Sequence, residues 1–285
     1  AEADCSSWER EYTFDFHKTK LIHIDIDASE IGRNYPVHIG AVADLKQALK
    51  VLNRVAKKLY PQGFKNEALK AELAANRASF KAGLVAAQQS HAFPMRPERI
   101  LADARAVLPR DVIITTDVGW NKNGVGQQFD IFTPGSILTP GGFATMGFGA
   151  PAAIGAKIAC PERVVVSLVG DGGFGQNPAM LATAVESNVP VIWVIMNNCA
   201  FGTIAGLQLA HYGTTLGTLF VKDGQPFQAD FAAIALAYGA EGVRVTSADQ
   251  FKPALEQAMA SKRPFVIDVA MQNAPVETAG HWNIM

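Results

Sequence analysis

Apolar positions in the second half of the chain gather into short continuous runs separated by stretches of helical spacing. Val164, Val165, Val166, Leu168 and Val169 make one run, and residues 191–196 make another. Both are brief, rich in β-branched residues and closed by glycine or asparagine, so both predict strands buried on two faces. Between them Asn177-Pro178 has the form of a helix start, an N-cap with proline in the first turn, and residues 179–187 carry the helix. A strand, a crossover helix and a strand give a parallel pair. The same alternation continues on either side. It predicts a helix over 98–107, a strand over 112–116, a helix near 122–129, an edge strand over 136–138 and a glycine-rich helix after it. Beyond the pair come a helix over 230–238, a strand over 242–245, a helix over 248–261 and a strand over 264–269. This is the pattern of an α/β fold, a doubly wound parallel sheet with helices on both faces.

The first 60 residues read differently. Strands are expected over 12–16 and 20–27, a turn over 31–36 and a helix over 43–59. Two strands and a helix do not close a core. The expectation is therefore that sequence preceding Ala1 is missing or lies on another polypeptide. Residues 66–89 are rich in alanine, lysine and glutamate at helical spacing and predict a connecting helix. The division that follows is 1–60 as the end of a preceding domain, 61–95 as a connecting helix and linker, and 96–285 as the main domain.

Composition narrows the function class. With 49% hydrophobic and 18% charged residues the chain can bury a sizeable core. A net charge of −1 without a basic cluster speaks against a nucleic-acid surface. The longest apolar region, residues 143–160, is broken by glycines and a proline and is a poor membrane span. Three scattered cysteines, Cys5, Cys160 and Cys199, suit a reducing cytoplasm and not a disulfide framework.

The chemistry sits where the two strands end. Gly170-Asp171-Gly172 closes the first and Asn197-Asn198 closes the second. Open α/β sheets bind their ligands at the carboxyl ends of their strands. A carboxylate and an amide oxygen there suit a hard cation such as Mg²⁺, which usually also holds phosphate oxygens. Glycines around Asp171 let backbone N–H groups approach a phosphate, and a helix start behind them adds its positive end. Asp25 and Asp27 alternate on one face of a strand, which by itself reads as a solvated or loop-capping face. Cys199 reads as a small buried hydrophobe. His211-Tyr212 and His281-Trp282 are candidate acids, bases or lid residues.

GDG with a closing Asn198 resembles the thiamine diphosphate and metal motif of the acetolactate synthase and pyruvate oxidase group of enzymes. Residues 142–156, GFATMGFGAPAAIGA, are similar to the segment that holds the aminopyrimidine ring, and Asp117-Val118-Gly119-Trp120-Asn121 is similar to the loop at the diphosphate. The resemblance spans essentially the whole chain. It implies that Asp171 and Asn198 bind Mg²⁺ by side chain and Ala200 by its carbonyl. Gly170, Gly172 and Gly173 would line the diphosphate, with Gly119 and Trp120 on its other side and Phe201 and Gly202 following the last ligand. Met146, flanked by Thr145, would be the wedge that bends the cofactor, and the Ala144 carbonyl would accept from its exocyclic amine. The bend brings that amine to the carbon it deprotonates.

The resemblance further implies a Rossmann-like middle domain ending near residue 60, where the position of Asp25 touches FAD in flavin-containing relatives; FAD is left open. Thr203, Ile204 and Leu207 fall where relatives build the substrate pocket. Leu207 and Thr203 stand where plant and yeast acetolactate synthases carry tryptophan and methionine. The glutamate that promotes the imino tautomer belongs to a separate pyrimidine-binding domain, so the chain is expected to need that domain, on a missing N-terminal half or a partner chain, in a homodimer or tetramer. The implied reaction cleaves or forms a C–C bond next to a carbonyl, on a 2-keto acid, acyloin or 1,2-diketone. Diketone hydrolase-like and sulfoacetaldehyde acetyltransferase-like chemistry are included. The alternative is a non-catalytic cofactor-binding subunit or fragment acting as an interaction module. A nicotinamide-binding Rossmann protein is disfavoured, since no G-x-G-x-x-G opens a helix after an early strand.

Overall fold

The computed structural model describes residues 18–141, 143–227 and 229–273. The strand expected over 12–16, Cys5 and His281-Trp282 lie outside them. Two compact units divide the chain, residues 1–74 and 75–285.

The first unit pairs strand β1 (Ile22–Asp25) with strand β2 (Ile39–Val42) in parallel, Ile22 opposite Ile39 and Asp25 opposite Val42. β2 had no counterpart in the sequence reading, because Ile39-Gly40-Ala41-Val42 is short and carries a glycine. That glycine is required: a Cβ on Gly40 would lie 2.6 Å from the Ile31 side chain. Helix α1 (Leu45–Leu59) follows, its N-cap Asp44 accepting from the Gln47 N–H at 2.9 Å. Its apolar residues Leu45, Leu49, Leu52 and Leu59 are exposed. Helix α2 (Glu67–Gln88) is the connecting helix of the sequence reading.

The second unit is built on a six-stranded sheet, all parallel: β3 (Ile113–Thr116), β4 (Ile137–Leu138), β5 (Val165–Gly170), β6 (Ile192–Asn197), β9 (Glu241–Val245) and β10 (Phe265–Ala270). The spatial order is β4-β3-β5-β6-β10-β9. Strand residues alternate between two cores. Val166, Leu168, Ile192, Val194 and Met196 face helices α3 (Pro97–Val107) and α10 (Phe251–Ser261). Val165, Val169, Trp193 and Ile195 face α5 (Gly149–Ala159), α7 (Met180–Glu186) and α9 (Phe231–Ala237). Burial on both faces explains the unbroken apolar runs.

From β3 the chain steps outward to β4, then returns past β3 to β5. The direction of winding reverses between β3 and β5, and at such a switch point the strand ends leave a crevice. Three elements went unpredicted: α6 (Asp171–Phe174), α8 (Gly202–Tyr212) and the hairpin of β7 (Val221–Lys222) and β8 (Gln225–Pro226). The glycines and polar residues of α8 blur its helical period, and α6 is a single turn on a glycine-rich corner. Among the described residues no helix is long and apolar enough to cross a membrane.

Trp193 is fully buried and its indole Nε1–H donates to the Ala150 carbonyl at 3.0 Å, fastening β6 to the first turn of α5. Trp193→Phe removes that donor and leaves a void. It should lower the unfolding free energy by about 2–4 kcal/mol in a urea titration.

Candidate active site

β5 carries Asp171 to the carboxyl edge of the sheet, and β6 carries Asn198 to the neighbouring position. Asp171 is 4% exposed. Its Oδ1 accepts from the Gly172 N–H at 2.9 Å, while its Oδ2 is buried without a hydrogen-bond partner. Burial lifts its pKa from 3.8 to about 6, against the opposing pull of the Gly172, Cys199 and Ala200 N–H groups. Those last two amides reach Asp171 because the chain turns sharply after β6, at Cys199, whose φ of 56° lies in the left-handed region. A non-glycine residue there is strained, and strain of this kind clusters at functional sites. The turn is braced by the chain after α8: Phe201 N–H donates to the Thr218 carbonyl (2.9 Å) and Phe220 N–H to the Cys199 carbonyl (2.7 Å).

Asn198 completes the arrangement. Its Nδ2 donates to Asn273 Oδ1 at 3.1 Å. That orientation sets Asn198 Oδ1 at 3.0 Å from the Ala200 carbonyl oxygen and 3.2 Å from Asp171 Oδ1. Turning the amide over would give both oxygens a donor but would put the amide oxygen 3.1 Å from Asn273 Oδ1. An amide oxygen set between two other oxygens with no hydrogen donor among the three, beside a buried carboxylate oxygen without a partner, makes a donor set that a hard cation satisfies. The oxygens are those of Asp171, Asn198 and Ala200.

Around this cluster missing side chains let neighbouring groups close in. A Cβ on Gly172 would lie 2.5 Å from the Phe201 ring and 3.5 Å from Met146 Cε, so these three converge. Phe201 is held edge-on to Phe220, ring centroids 4.9 Å apart. A Cβ on Gly173 would lie 2.6 Å from Asp117 Oδ1. Gly119 has φ 96° and ψ −153°, a region open essentially to glycine alone, and faces Thr203 Oγ1. Thr203 thereby stands at the loop after β3. Trp120 folds its ring over Gly124 and packs, partly buried, against the core. Ala144 has φ 45° and donates its N–H to the Gly141 carbonyl at 2.9 Å; Thr145 is exposed. Gly170 is the extended N-cap of α6. Gly202 opens α8, whose far end carries His211, an axial rise of about 13 Å away. His211 is exposed, its ring 6.3 Å from that of Tyr212.

Asp117 holds these segments in register, a role the sequence reading did not give it. It is 1% exposed. Its Oδ1 accepts from the Val118 (2.9 Å) and Gly147 (3.0 Å) N–H groups, and its Oδ2 from the Gly149 N–H (2.8 Å). Asn121 Oδ1 accepts from the Asp117 N–H at 3.0 Å and keeps the same turn closed. One carboxylate therefore ties the loop after β3 to the corner bearing Met146 and abuts the glycines of α6. The signal available in the sequence was its place: an acid directly after a strand, as Asp171 is. In the first unit, Asp25 Oδ1 accepts from the Asp27 N–H (3.0 Å) and Asp27 caps the Ser29 N–H (2.8 Å), beside a cleft of about 240 Å³ lined by Ile24, Asp25, Ala43 and Leu45.

A sequence profile described as "Thiamine pyrophosphate enzyme, C-terminal TPP binding domain" matches residues 117–269. The chain belongs to the thiamine pyrophosphate enzymes. A second profile, for the central domain of the same enzymes, matches residues 3–52. The chain is 34% identical over 261 residues to a "Probable acetolactate synthase large subunit" of Methanococcus aeolicus, covering 88% of this chain and 43% of that protein. It is 29% identical to a "Glyoxylate carboligase" of Escherichia coli O157:H7, covering 89% of this chain and 44% of that protein. Among solved structures, the thiamine diphosphate-dependent 4-hydroxybenzoylformate decarboxylase of Rhodococcus jostii RHA1 aligns with a TM-score of 0.69 at 26% identity, over 89% of this chain and 44% of that one. The chain spans less than half the length of these relatives. Its matched domain is a thiamine diphosphate-binding domain.

Two consequences can be measured. A carboxyl whose folded pKa is raised stabilises the fold in full below its unfolded pKa of 3.8 and loses that contribution as pH rises through about 6. Above that, the ionised Asp171 costs the metal-free fold roughly 3 kcal/mol, since each pKa unit is worth about 1.4 kcal/mol. Asp171→Asn should therefore raise the melting temperature of metal-free protein at pH 8 and leave it nearly unchanged at pH 4. Asp117→Asn sets an amide NH₂ against at least one backbone N–H. It should cost about 1–3 kcal/mol in denaturant unfolding and weaken thiamine diphosphate binding in the same preparation.

Proposed function

We propose that this chain supplies the metal- and diphosphate-binding half of a thiamine diphosphate enzyme that cleaves or forms a carbon–carbon bond beside a carbonyl. The observation that carries the reading is the Asn198 amide oxygen set against the Asp171 and Ala200 oxygens at the carboxyl ends of β5 and β6, beside an unpartnered Asp171 Oδ2. Mg²⁺ fits that set, being a hard cation that takes carboxylate, amide and carbonyl oxygens and keeps positions for phosphate. Asp171, Asn198 and Ala200 would hold it. Gly172 and Gly173 offer close backbone approach on one side, and Gly119 with the Trp120 backbone offers it on the other.

Met146, converging with Gly172 and Phe201, would press on the cofactor between its two rings, and the strained Ala144 would present its carbonyl to the aminopyrimidine amine. When bound, thiamine diphosphate supplies an electron sink for the carbanion formed beside a carbonyl. The residues of this chain bind and bend it. The acid that moves the pyrimidine proton is assigned to a pyrimidine-binding domain, on the remaining length of the protein or on a partner chain. On this reading the active enzyme is a cytoplasmic dimer or tetramer, and residues 1–60, 61–95 and 96–285 act as the end of the middle domain, the connector and the diphosphate domain.

The substrate class is a 2-keto acid, acyloin or 1,2-diketone, which leaves acetolactate synthase-like, diketone hydrolase-like and acetyltransferase-like outcomes within one reaction type. The names of the relatives, a carboligase and a decarboxylase among them, support that breadth. FAD stays outside the mechanism: among the described residues it rests on Asp25 and the cleft beside it, and Asp25 already serves its own turn. His211, at the far end of α8, is kept as a lid or acid–base residue and not as a ligand. The competing reading, a cofactor-binding subunit that only mediates interactions, predicts no turnover in any mixture.

Calorimetric titration of thiamine diphosphate with MgCl₂ into the full-length protein tests the assignment. Asp171→Ala should weaken binding at least a hundredfold. Unchanged affinity would sink it.

A further inference from the structure

Asn273 lies three residues beyond Ala270, the last residue of β10, outside every motif that marks the site. Backbone pairing puts it there. Met95, fully buried, donates its N–H to the Ala270 carbonyl (2.8 Å) and accepts from the Gln272 N–H (2.9 Å). On the other side the Met271 N–H donates to the Asn197 carbonyl at 2.7 Å. The tail of β10 is thus held between the segment before α3 and the end of β6, and its Asn273 arrives beside Asn198.

An asparagine ligand can bind a cation only with its oxygen inward, yet its two ends are nearly the same size. Something must decide which end faces the ion. We propose that Asn273 is the positioning residue that fixes the Asn198 amide in its metal-binding orientation, by accepting from Nδ2. The proposal rests on the metal assignment made above and extends it to a residue contributed by β10. Two observations support it. The Asn273 Oδ1 acceptor sits 3.1 Å from Asn198 Nδ2, on the side away from Asp171 and Ala200. The space for this amide pair is kept open by Gly202: a Cβ there would stand 2.7 Å from Asn198 Nδ2 and 3.2 Å from Asn273 Oδ1. Groups that orient a metal ligand from outside typically change affinity by about 10–100-fold when lost.

Metal affinity of the full-length protein, titrated with Mg²⁺ at saturating thiamine diphosphate, gives the test. Asn273→Ala should weaken Mg²⁺ binding roughly tenfold or more. Its melting temperature without metal should stay at the parent value, because Asn273 is exposed. Asn273→Asp, which keeps the acceptor, should restore most of the affinity, and Gly202→Ala should lower it by crowding the pair from the other side. Asn273→Ala within twofold of the parent, alongside Asp171→Ala without measurable binding, would overturn the orienting role and leave the metal site standing. Parent-like Mg²⁺ affinity in Asp171→Ala would overturn the metal site and the proposal with it.

Discussion

A carboxylate withdrawn from water must be neutralised, protonated or paired, and among the described residues no cationic side chain pairs with Asp171. Its Oδ2 is buried without a partner, and its Oδ1 faces the Asn198 amide oxygen at 3.2 Å. The surrounding structure is what keeps it there. β5 delivers it at the crevice, the left-handed turn at Cys199 aims two amides and a carbonyl toward it, and the strand-like pairing of residues 199–201 with 218–220 stops that turn from relaxing. Desolvation then makes the ionised form costly, as the rise of its pKa to about 6 records. The fold carries that cost in its metal-free state, and a cation would remove it.

Asp117 shows how much depends on environment and how little on residue type. It also follows a parallel strand of the same sheet, and it too is buried. Yet three backbone N–H groups fill its acceptor positions, which makes it a structural anchor between the loop after β3 and the corner that presents Met146. Asp171 also draws the amides of Gly172, Cys199 and Ala200, but they leave its Oδ2 without a partner. Two carboxylates on neighbouring strands are thereby divided into a fastener and a candidate ligand by whether both oxygens are engaged.

The strands of the large sheet were legible because burial on both faces leaves uninterrupted apolar runs, and their order along the chain implied parallel winding. The elements that escaped are those whose local signal is weak. β2 is four residues with a glycine, α8 mixes glycines with polar residues, and α6 is one turn of Asp-Gly-Gly-Phe. For the site, the sequence named Asp171 and Asn198 because each closes a strand. It gave no hint of Asn273, since nothing local distinguishes an asparagine after β10. Only the pairing of β10 beside β6 brings residues 198 and 273 together. The orientation of Trp120 was likewise invisible, being set by the absent side chain of Gly124.

The same electrostatics explains why metal and diphosphate should depend on one another in the proposed function. With a pKa near 6, Asp171 is mostly ionised at neutral pH, so a cation need not displace a proton there, whereas at lower pH the proton competes with it. A diphosphate brought to the glycines beside Asp171 adds negative charge to a place already short of compensation. Backbone amides and a one-turn helix supply only partial positive charge. The cation alone would meet three protein oxygens and depend on water for the rest, and the diphosphate alone would face a buried carboxylate. Each supplies what the other lacks. The glycine-lined crevice therefore favours the pair over either component, and the orientation of one asparagine amide decides whether the pair finds its third oxygen.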